Sequence, residues 1–270
     1  MIRVGVLGAA GRMGRLVCQA VAEHPDLALV AGINPSLGGE HLGLMIGRPD
    51  VNVQISDGLD TLLQAETEVA VDFTEPEAVM DNVRWAIEHA MHIVVGTTGV
   101  GPGELAEIER LLAEEGNESN VVVAPNFAIG AVLLQRFAEQ AARFFPAAEI
   151  VELHHEGKLD APSGTAMATA ERMAKARRQE WSGPTGESVE GVRGGDVQGI
   201  RVHSVRLPGL VAHQEVIFGG LGQTLTIRHD SSQRVSFMPG VIMAVKAVIS
   251  RPGLTVGLEP LLDLDTDERA

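Results

Sequence analysis

The 270-residue chain has a single cysteine, Cys18, so no disulfide framework is open to it. Cys18 lies within the helical pattern RMGRLVCQAVAEH, where a buried, inert thiol is expected rather than a catalytic one. Any redox chemistry therefore needs a borrowed cofactor. Cations are scarce: 21 Lys and Arg stand against 36 Asp and Glu, a formal net charge of −15. No long basic run offers a stripe for tracking phosphates, which argues against nucleic acid as a partner. Long apolar runs are also missing, although 45% of the residues are hydrophobic, and none approaches the roughly 20 residues that cross a bilayer. MIRVGVLGAAG enters a strand pattern at once and leaves no room for a signal peptide. No membrane association and a cytoplasmic location are expected. In so acidic a chain an anionic ligand has to be met by cations gathered locally, so each cluster of Lys, Arg and His is informative.

A length of 270 residues suits one large or two modest domains. From residue 2, short β-branched runs alternate with amphipathic stretches: IRVGVLG, a helix over 11–23, LALVAGI, and a Gly-rich loop from Asn34 to Arg48. The alternation continues with VNVQI, a helical piece over 59–65, EVAVDF, a helix from Pro76 to Ala90, HIVVGTTG, a helix from Gly103 to Glu115, and NVVVAP. Runs this apolar, separated by helices, predict a parallel sheet covered on both faces. Beyond Asn126 come a helix over 129–144, the strand EIVELHH, a helix over about 164–180 and a Gly-rich loop of about twenty residues. IRVHSVRL, HQEVIFGG and QTLTIRHD then read as antiparallel strands, the last two joined at GGLG. The expected fold is α/β: a Rossmann-type doubly wound parallel sheet over 1–126, regaining 234–270, and a smaller α+β domain with a mixed or antiparallel sheet over 127–233. The acidic end DLDTDERA is expected to fray.

VGVLGAAGRMGR places Gly8, Gly11 and Gly14 between a strand and a helix, so backbone can approach a pyrophosphate and a helix N-terminus can face it. The G-x-x-G-x-x-G spacing departs from the strict fingerprint, and taken alone it is no more than a Gly-rich turn. Its place after the first strand and before an amphipathic helix points to a nicotinamide dinucleotide. At the end of the second strand, where an acid would usually bind the adenosine ribose, stands Asn34, with Arg12 beside the turn. A neutral amide does not repel a 2′-phosphate, so use of both NADH and NADPH is expected. GTTG (96–99) and APNF (124–127) end further strands where open α/β sheets bind ligands, and Phe127, one of only nine Phe and Trp residues, is placed to cover a nicotinamide. DFT (72–74) is similarly placed and less specific.

HHEGKLDAPSGTA (154–166) gathers His154, His155 and Lys158 before a helix start at Ser163, Gly164 and Thr165. Hydroxyls there can cap, and the first-turn N–H groups can receive a carboxylate. The two adjacent histidines point to opposite faces of a strand, without a cysteine or helical H-x-x-x-H spacing, so no metal is expected. Ser163 lies outside a G-x-S-x-G elbow, which disfavours a nucleophile. Acid–base work fits better, because a hydride acceptor also gains a proton. The bland alternative is a solvated lysine beside two half-buried histidines.

The stretch EIVELHHEGKLDAPSGTA closely resembles the signature of the 4-hydroxy-tetrahydrodipicolinate reductases, formerly dihydrodipicolinate reductases, of the diaminopimelate and lysine pathway. GAAGRMGR, DFTEPE, VVGTTG, APNFAIG, RGGDVQGIRVHSVRLPG and HQEVIFGGLGQTLTIRHDSS follow the same family in order, covering nearly the whole chain. The resemblance implies that His154 is a proton donor or acceptor, that Lys158 is the catalytic proton donor, and that His155, Gly164 and Thr165 touch substrate. It implies a cyclic dicarboxylate substrate, one of whose carboxylates can rest on the Ser163 to Thr165 helix start. Gly8, Ala9, Ala10, Gly11, Arg12 and Met13, with Gly96, Thr97, Thr98, Ala124, Pro125, Asn126 and Phe127, would hold NADH or NADPH. Asn34 departs from the acid many members carry, and Pro35 stands where some have a phosphate-reading Arg. A homotetramer built sheet to sheet is likewise implied. It accords with apolar Val216, Ile217, Phe218, Leu225 and Ile227, which the pattern places on both strand faces. Rival readings are another small NAD(P)-dependent amino-acid dehydrogenase, which leaves the histidine–lysine spacing unexplained, and a non-catalytic NAD(H)-sensing protein, which would want a nucleic-acid module or a basic surface.

Overall fold

The computed structural model describes residues 1–114, 117–179, 183–184, 186–262 and 264. Two compact units are present, one of Met1–Phe127 with the chain from Phe237, the other Ala128–Ser236. The expected helix ends at Glu115 and near residue 180 lie outside the described residues, as does the acidic end apart from Leu264.

The first unit opens with β1 (Ile2–Leu7), α1 (Arg12–Glu23), β2 (Leu27–Ile33), α2 (Leu42–Met45), β3 (Ile55–Ser56) and α3 (Asp60–Gln64). It continues with β4 (Val69–Asp72), α4 (Pro76–Glu88), β5 (His92–Val95), α5 (Pro102–Leu112) and β6 (Asn120–Val123). The second unit contains α6 (Ile129–Ala141), β7 (Ala147–His154), α7 (Gly164–Ala176), β8 (Gly195–Val197), β9 (Ile200–Arg206), β10 (Ala212–Gly220) and β11 (Gln223–Ser231). The chain then returns to the first unit as α8 (Met238–Val248) and β12 (Gly253–Val256).

The first sheet has seven strands in the order β12-β6-β5-β4-β1-β2-β3, with parallel pairings throughout. Its strands are apolar because both faces are covered. α1 buries Gly14, Val17, Cys18 and Val21, the one-face spacing of an amphipathic helix. Burial pushes the Cys18 thiol well above its ordinary pKa, which keeps it protonated and unreactive. α4 and α5 start on Pro76 and Pro102, and Glu104 accepts a hydrogen bond from the Gly101 N–H at 3.0 Å.

The second sheet runs β11-β10-β7-β9-β8. β7 pairs antiparallel with β10 and parallel with β9, so α7 lies on the crossover of a β-α-β unit. Its core gathers Leu134, Ala138, Ile150, Ala170, Met173 and Phe218.

Several expectations require correction. β9 does not pair antiparallel with β10; it lies on the other side of β7 and is parallel to it, because strand periodicity carries no direction. The Gly-rich loops contain α2 and β8, both too short to register a period. VNVQI contributes only Ile55 to β3, and GLTV adds β12 at the sheet edge. His155 falls past the end of β7, in a turn closed by the Lys158 N–H on its carbonyl at 3.1 Å, so the alternation argument does not apply to it. The β10–β11 register sets Val216 opposite Ile227 and Phe218 opposite Leu225, which puts four of the five apolar residues on one face. The other face carries Ile217 with Thr226, and the Glu215–Arg228 ion pair.

Phe218 is fully buried, its ring 5.6 Å from that of Phe145. Phe218→Ala is expected to destabilise the second unit by about 3–5 kcal/mol, read as a lower urea midpoint.

Candidate functional site

In the first unit the strand register brings the predicted loops level. Leu7 pairs with Ile33 and Asp72, Asp72 with Val95, and Val95 with Val123. Gly8, Asn34, Phe73, Gly96 and Ala124 each follow a member of that row, so all five open loops along one carboxyl edge. β1 lies between β2 and β4, where the strand order reverses, which is the place such sheets bind ligands.

The glycines have separate reasons. Gly8 has φ +75°, and a Cβ there would stand 2.5 Å from the Phe73 carbonyl oxygen; one on Gly14 would stand 2.0 Å from the Gly8 oxygen. Turn and helix are thus in backbone contact, and no side chain caps the first turn of α1 at Gly11. A cavity of about 610 Å³ opens beside them, lined by Gly8, Gly11, Arg12, Asn34, Asp57 and Thr74 among others. Its size, glycine floor and uncapped helix start fit a dinucleotide. Asn34 Oδ1 accepts from the Ser36 N–H at 3.1 Å, which leaves its amide N–H groups as donors toward a ligand. Asp57 was missed from the sequence: it follows the two-residue β3, whose pattern was too short to align it with Asn34.

Ala9 and Ala10 are buried in the turn, and Met13 is half-buried at the start of α1. Gly96, Thr97, Thr98, Ala124, Pro125, Asn126 and Phe127 lie on the same edge but outside that cavity. Asp72 ties this edge together. It is fully buried, and its Oδ1 accepts from the Thr74 N–H at 2.9 Å, the Thr74 hydroxyl at 2.7 Å and the Thr97 hydroxyl at 2.6 Å. Asn82 donates to its other oxygen at 2.7 Å. A Cβ on Gly96 would fall 2.3 Å from the Phe73 ring, and that ring packs on Phe127 at 5.8 Å. Phe127 is 3% exposed, so its ring is spent on packing rather than displayed to cover a nicotinamide.

In the second unit β7 carries Glu152 and His154 on one face, two residues apart. Glu152 is fully buried, and His154 Nδ1 lies 2.5 Å from its Oε2. Arg206, on β9 directly across from His154, donates to both carboxylate oxygens at 2.9 and 2.8 Å. The Ser163 N–H donates to Oε1 at 3.2 Å. Burial opposes the charge on Glu152, but hydrogen bonds from His154, Arg206 and Ser204 overcome that penalty and draw its pKa down to about 2.

Arg206 also donates to the backbone carbonyls of Lys158 and Asp160, at 3.3 and 2.5 Å. The Lys158 ammonium pairs with Asp160 at 2.7 Å, and that contact holds the Asp160 carboxyl below its ordinary range. Ser163 Oγ accepts from the Ala166 N–H at 3.2 Å and so caps α7. Gly164 is exposed, with nothing within 4 Å of where a Cβ would stand, which leaves room for a ligand at the helix start. His154, Ser163 and the Lys158 loop are thus joined through Glu152 and Arg206, and His155, Gly164 and Thr165 adjoin them along the chain. Sequence reasoning missed Glu152 and Arg206. The two-residue spacing from Glu152 to His154 was the available signal, whereas Arg206 lies 54 residues from Glu152 and had none.

Comparison with known proteins supplies the context for this geometry. Residues 2–127 match a family model described as "Dihydrodipicolinate reductase, N-terminus", and residues 130–262 match its C-terminus counterpart. The 4-hydroxy-tetrahydrodipicolinate reductase of Nocardia farcinica is 51% identical over 97% of this chain and 99% of its own length. That of Cutibacterium acnes is 52% identical over 98% of this chain and its whole length. A dipicolinate-bound dihydrodipicolinate reductase from Paenisporosarcina sp. TG-14 superposes with a TM-score of 0.83 at 39% identity, covering 97% of this chain and 100% of that one. An amine dehydrogenase from Mycobacterium smegmatis, with a TM-score of 0.63 at 13% identity over 94% of each chain, shares the fold alone. With both family models matched in order and the relatives aligned nearly end to end, the chain belongs to the dihydrodipicolinate reductase family.

Proposed function

We propose that the chain reduces 4-hydroxy-tetrahydrodipicolinate to tetrahydrodipicolinate with loss of water, using NADH or NADPH, in diaminopimelate and lysine biosynthesis. The observation that carries this reading is the near end-to-end identity with reductases of that name. The dipicolinate bound by the Paenisporosarcina relative is itself a cyclic dicarboxylate, which supports the substrate class.

The first unit is the dinucleotide-binding domain. The backbone from Gly8 to Met13 and the first turn of α1 hold the pyrophosphate, with Asn34 and Arg12 on the adenosine side. Gly96, Thr97 and Thr98, with Ala124, Pro125, Asn126 and the backbone of Phe127, hold the nicotinamide side through the same carboxyl edge. When bound, the dinucleotide supplies the hydride.

The second unit binds substrate and mediates assembly. Ser163, Gly164 and Thr165 receive one substrate carboxylate at the start of α7, and His155 and Lys158 receive the other. An ammonium has three donors, so Lys158 Nζ keeps two beyond the one used by Asp160. His154 and Lys158 provide the proton that accompanies reduction of the ring or departure of the hydroxyl as water. A homotetramer is proposed on family resemblance, supported by the exposed edge strand β11 and by partly exposed Ile217. A cytoplasmic location is proposed with it; no helix among the described residues is long and apolar enough to cross a membrane.

The reading is tested by following dinucleotide oxidation with substrate generated in situ by a coupled synthase from pyruvate and aspartate semialdehyde. Turnover is expected, and its absence while the synthase runs would overturn the assignment. Lys158→Ala should lower kcat/KM about 10²–10⁴-fold, and a change within about threefold would remove it from the catalytic role. With neutral Asn34 and anionic Asp57 both on the cavity wall, kcat/KM for NADH and NADPH should differ by less than about a hundredfold. Asp57→Asn should shift that ratio toward NADPH, since it removes a repulsive charge. Light scattering after gel filtration should give about four times the 28.6 kDa chain mass, and a monomer would contradict the assembly.

A further inference from the structure

Resting on the reductase reading, in which His154 handles a proton, we propose that Glu152 and Arg206 are its positioning residues: the carboxylate accepts a hydrogen bond from Nδ1–H, so His154 meets its ligand through Nε2, and Arg206 sets the lysine loop.

An ionised carboxylate can only accept hydrogen bonds. At 2.5 Å from Glu152 Oε2, His154 Nδ1 must therefore be the protonated nitrogen. The carboxylate has no capacity left for substrate, because Arg206 on both oxygens, the Ser163 N–H and His154 already supply four donors from within the protein, with the Ser204 hydroxyl in addition. Glu152 thus acts through His154 rather than on a ligand. His154 is a further 14% exposed at its side chain, so its other edge is the one available to chemistry. The same carboxylate fixes the first residue of the helix start by way of Ser163. Arg206 extends the arrangement to the loop by holding the carbonyls of Lys158 and Asp160, which lie on either side of exposed Leu159. One ion pair therefore sets the imidazole's tautomer, the lysine loop and the start of α7.

The test combines Glu152→Gln with histidine ¹⁵N spectroscopy of the full chain, the His154 resonance being assigned by its loss in His154→Gln. In the parent, neutral His154 should be the Nδ1–H tautomer. In E152Q, Arg206 should claim the amide oxygen and turn the amide N–H toward Nδ1, which converts the ring to the Nε2–H tautomer. kcat should fall about a hundredfold or more, as expected when an orienting carboxylate is exchanged for its amide, while KM for the dinucleotide stays unchanged. A merely structural role would lower stability and leave the tautomer alone. An Nε2–H parent, or an E152Q protein that keeps both the Nδ1–H tautomer and the parent kcat, would overturn the proposal. If E152Q does not fold, the parent's tautomer decides. A tautomer that inverts in a protein without reductase turnover would sustain the positioning role and refute the reductase reading.

Discussion

A carboxylate with no solvent exposure is tolerated only if the protein replaces every water it has lost, and Glu152 places that demand at the centre of the second unit. Its answer is a two-armed contact with Arg206, a ring nitrogen of His154 and a backbone N–H at the start of α7. Removing one member of such a pair typically costs about 3–5 kcal/mol, because the remaining charge is left buried and alone. The stability of the pair and the arrangement of the site are consequently one requirement. Strand β7 brings Glu152 and His154 to the same face, β9 brings Arg206 alongside, and the crossover through α7 brings Ser163. The parallel pairing of β7 and β9 is what makes this possible, since it aligns His154 with Arg206 while Glu152 sits two residues back within reach of the guanidinium.

The first unit meets a similar demand without a cation. Among the described residues no Lys or Arg pairs with buried Asp72, which instead accepts from two threonines, a backbone N–H and an asparagine. Three of those four bonds come from Thr74 and Asn82 and keep the loop after β4 closed on itself, while the Thr97 hydroxyl joins it to the loop after β5. Neighbouring strands are thus locked at the edge where the register has already levelled them. Placing an Arg here would have put a fixed positive charge at this carboxyl edge; neutral donors satisfy the carboxylate without that field.

The sequence disclosed features whose signals are local. The Gly8, Gly11 and Gly14 turn, the apolar faces of α1 and α4, and the histidine–lysine cluster all come from contiguous residues whose period or chemistry is visible in a short window. Partnership across distance left no such trace. The two-residue spacing of Glu152 and His154 says nothing of whether their shared face is buried, and nothing near Arg206 names its partner. The same limit explains β9, whose direction is set by α7, and the β10–β11 faces, which depend on register rather than on the alternation of either strand. Asp57 escaped because β3 is two residues long, too short for any period to mark where it ends.

These pairings also bear on how an acidic protein would receive the dicarboxylate proposed as its substrate. The two cations nearest the cluster are internally matched, Arg206 by Glu152 and Lys158 by Asp160, so the site does not depend on a large excess of positive charge. What it offers is a set of directed donors: the N–H groups at the start of α7, the spare hydrogens of Lys158, and the imidazoles. Such donors are fixed before the ligand arrives and cost little reorganisation when it binds. A chain with a net charge of −15 gains from this design, because long-range attraction is weak whatever a single lysine does, whereas short-range donors act once the ligand has shed its water. Asp160 fits the same logic: it is exposed while its lysine is largely covered, so it steadies the ammonium at an edge where water can still compete for it. The buried pair fixes the site's geometry and the half-exposed pair steadies its ammonium, which is why one is closed to solvent and the other is partly open to it.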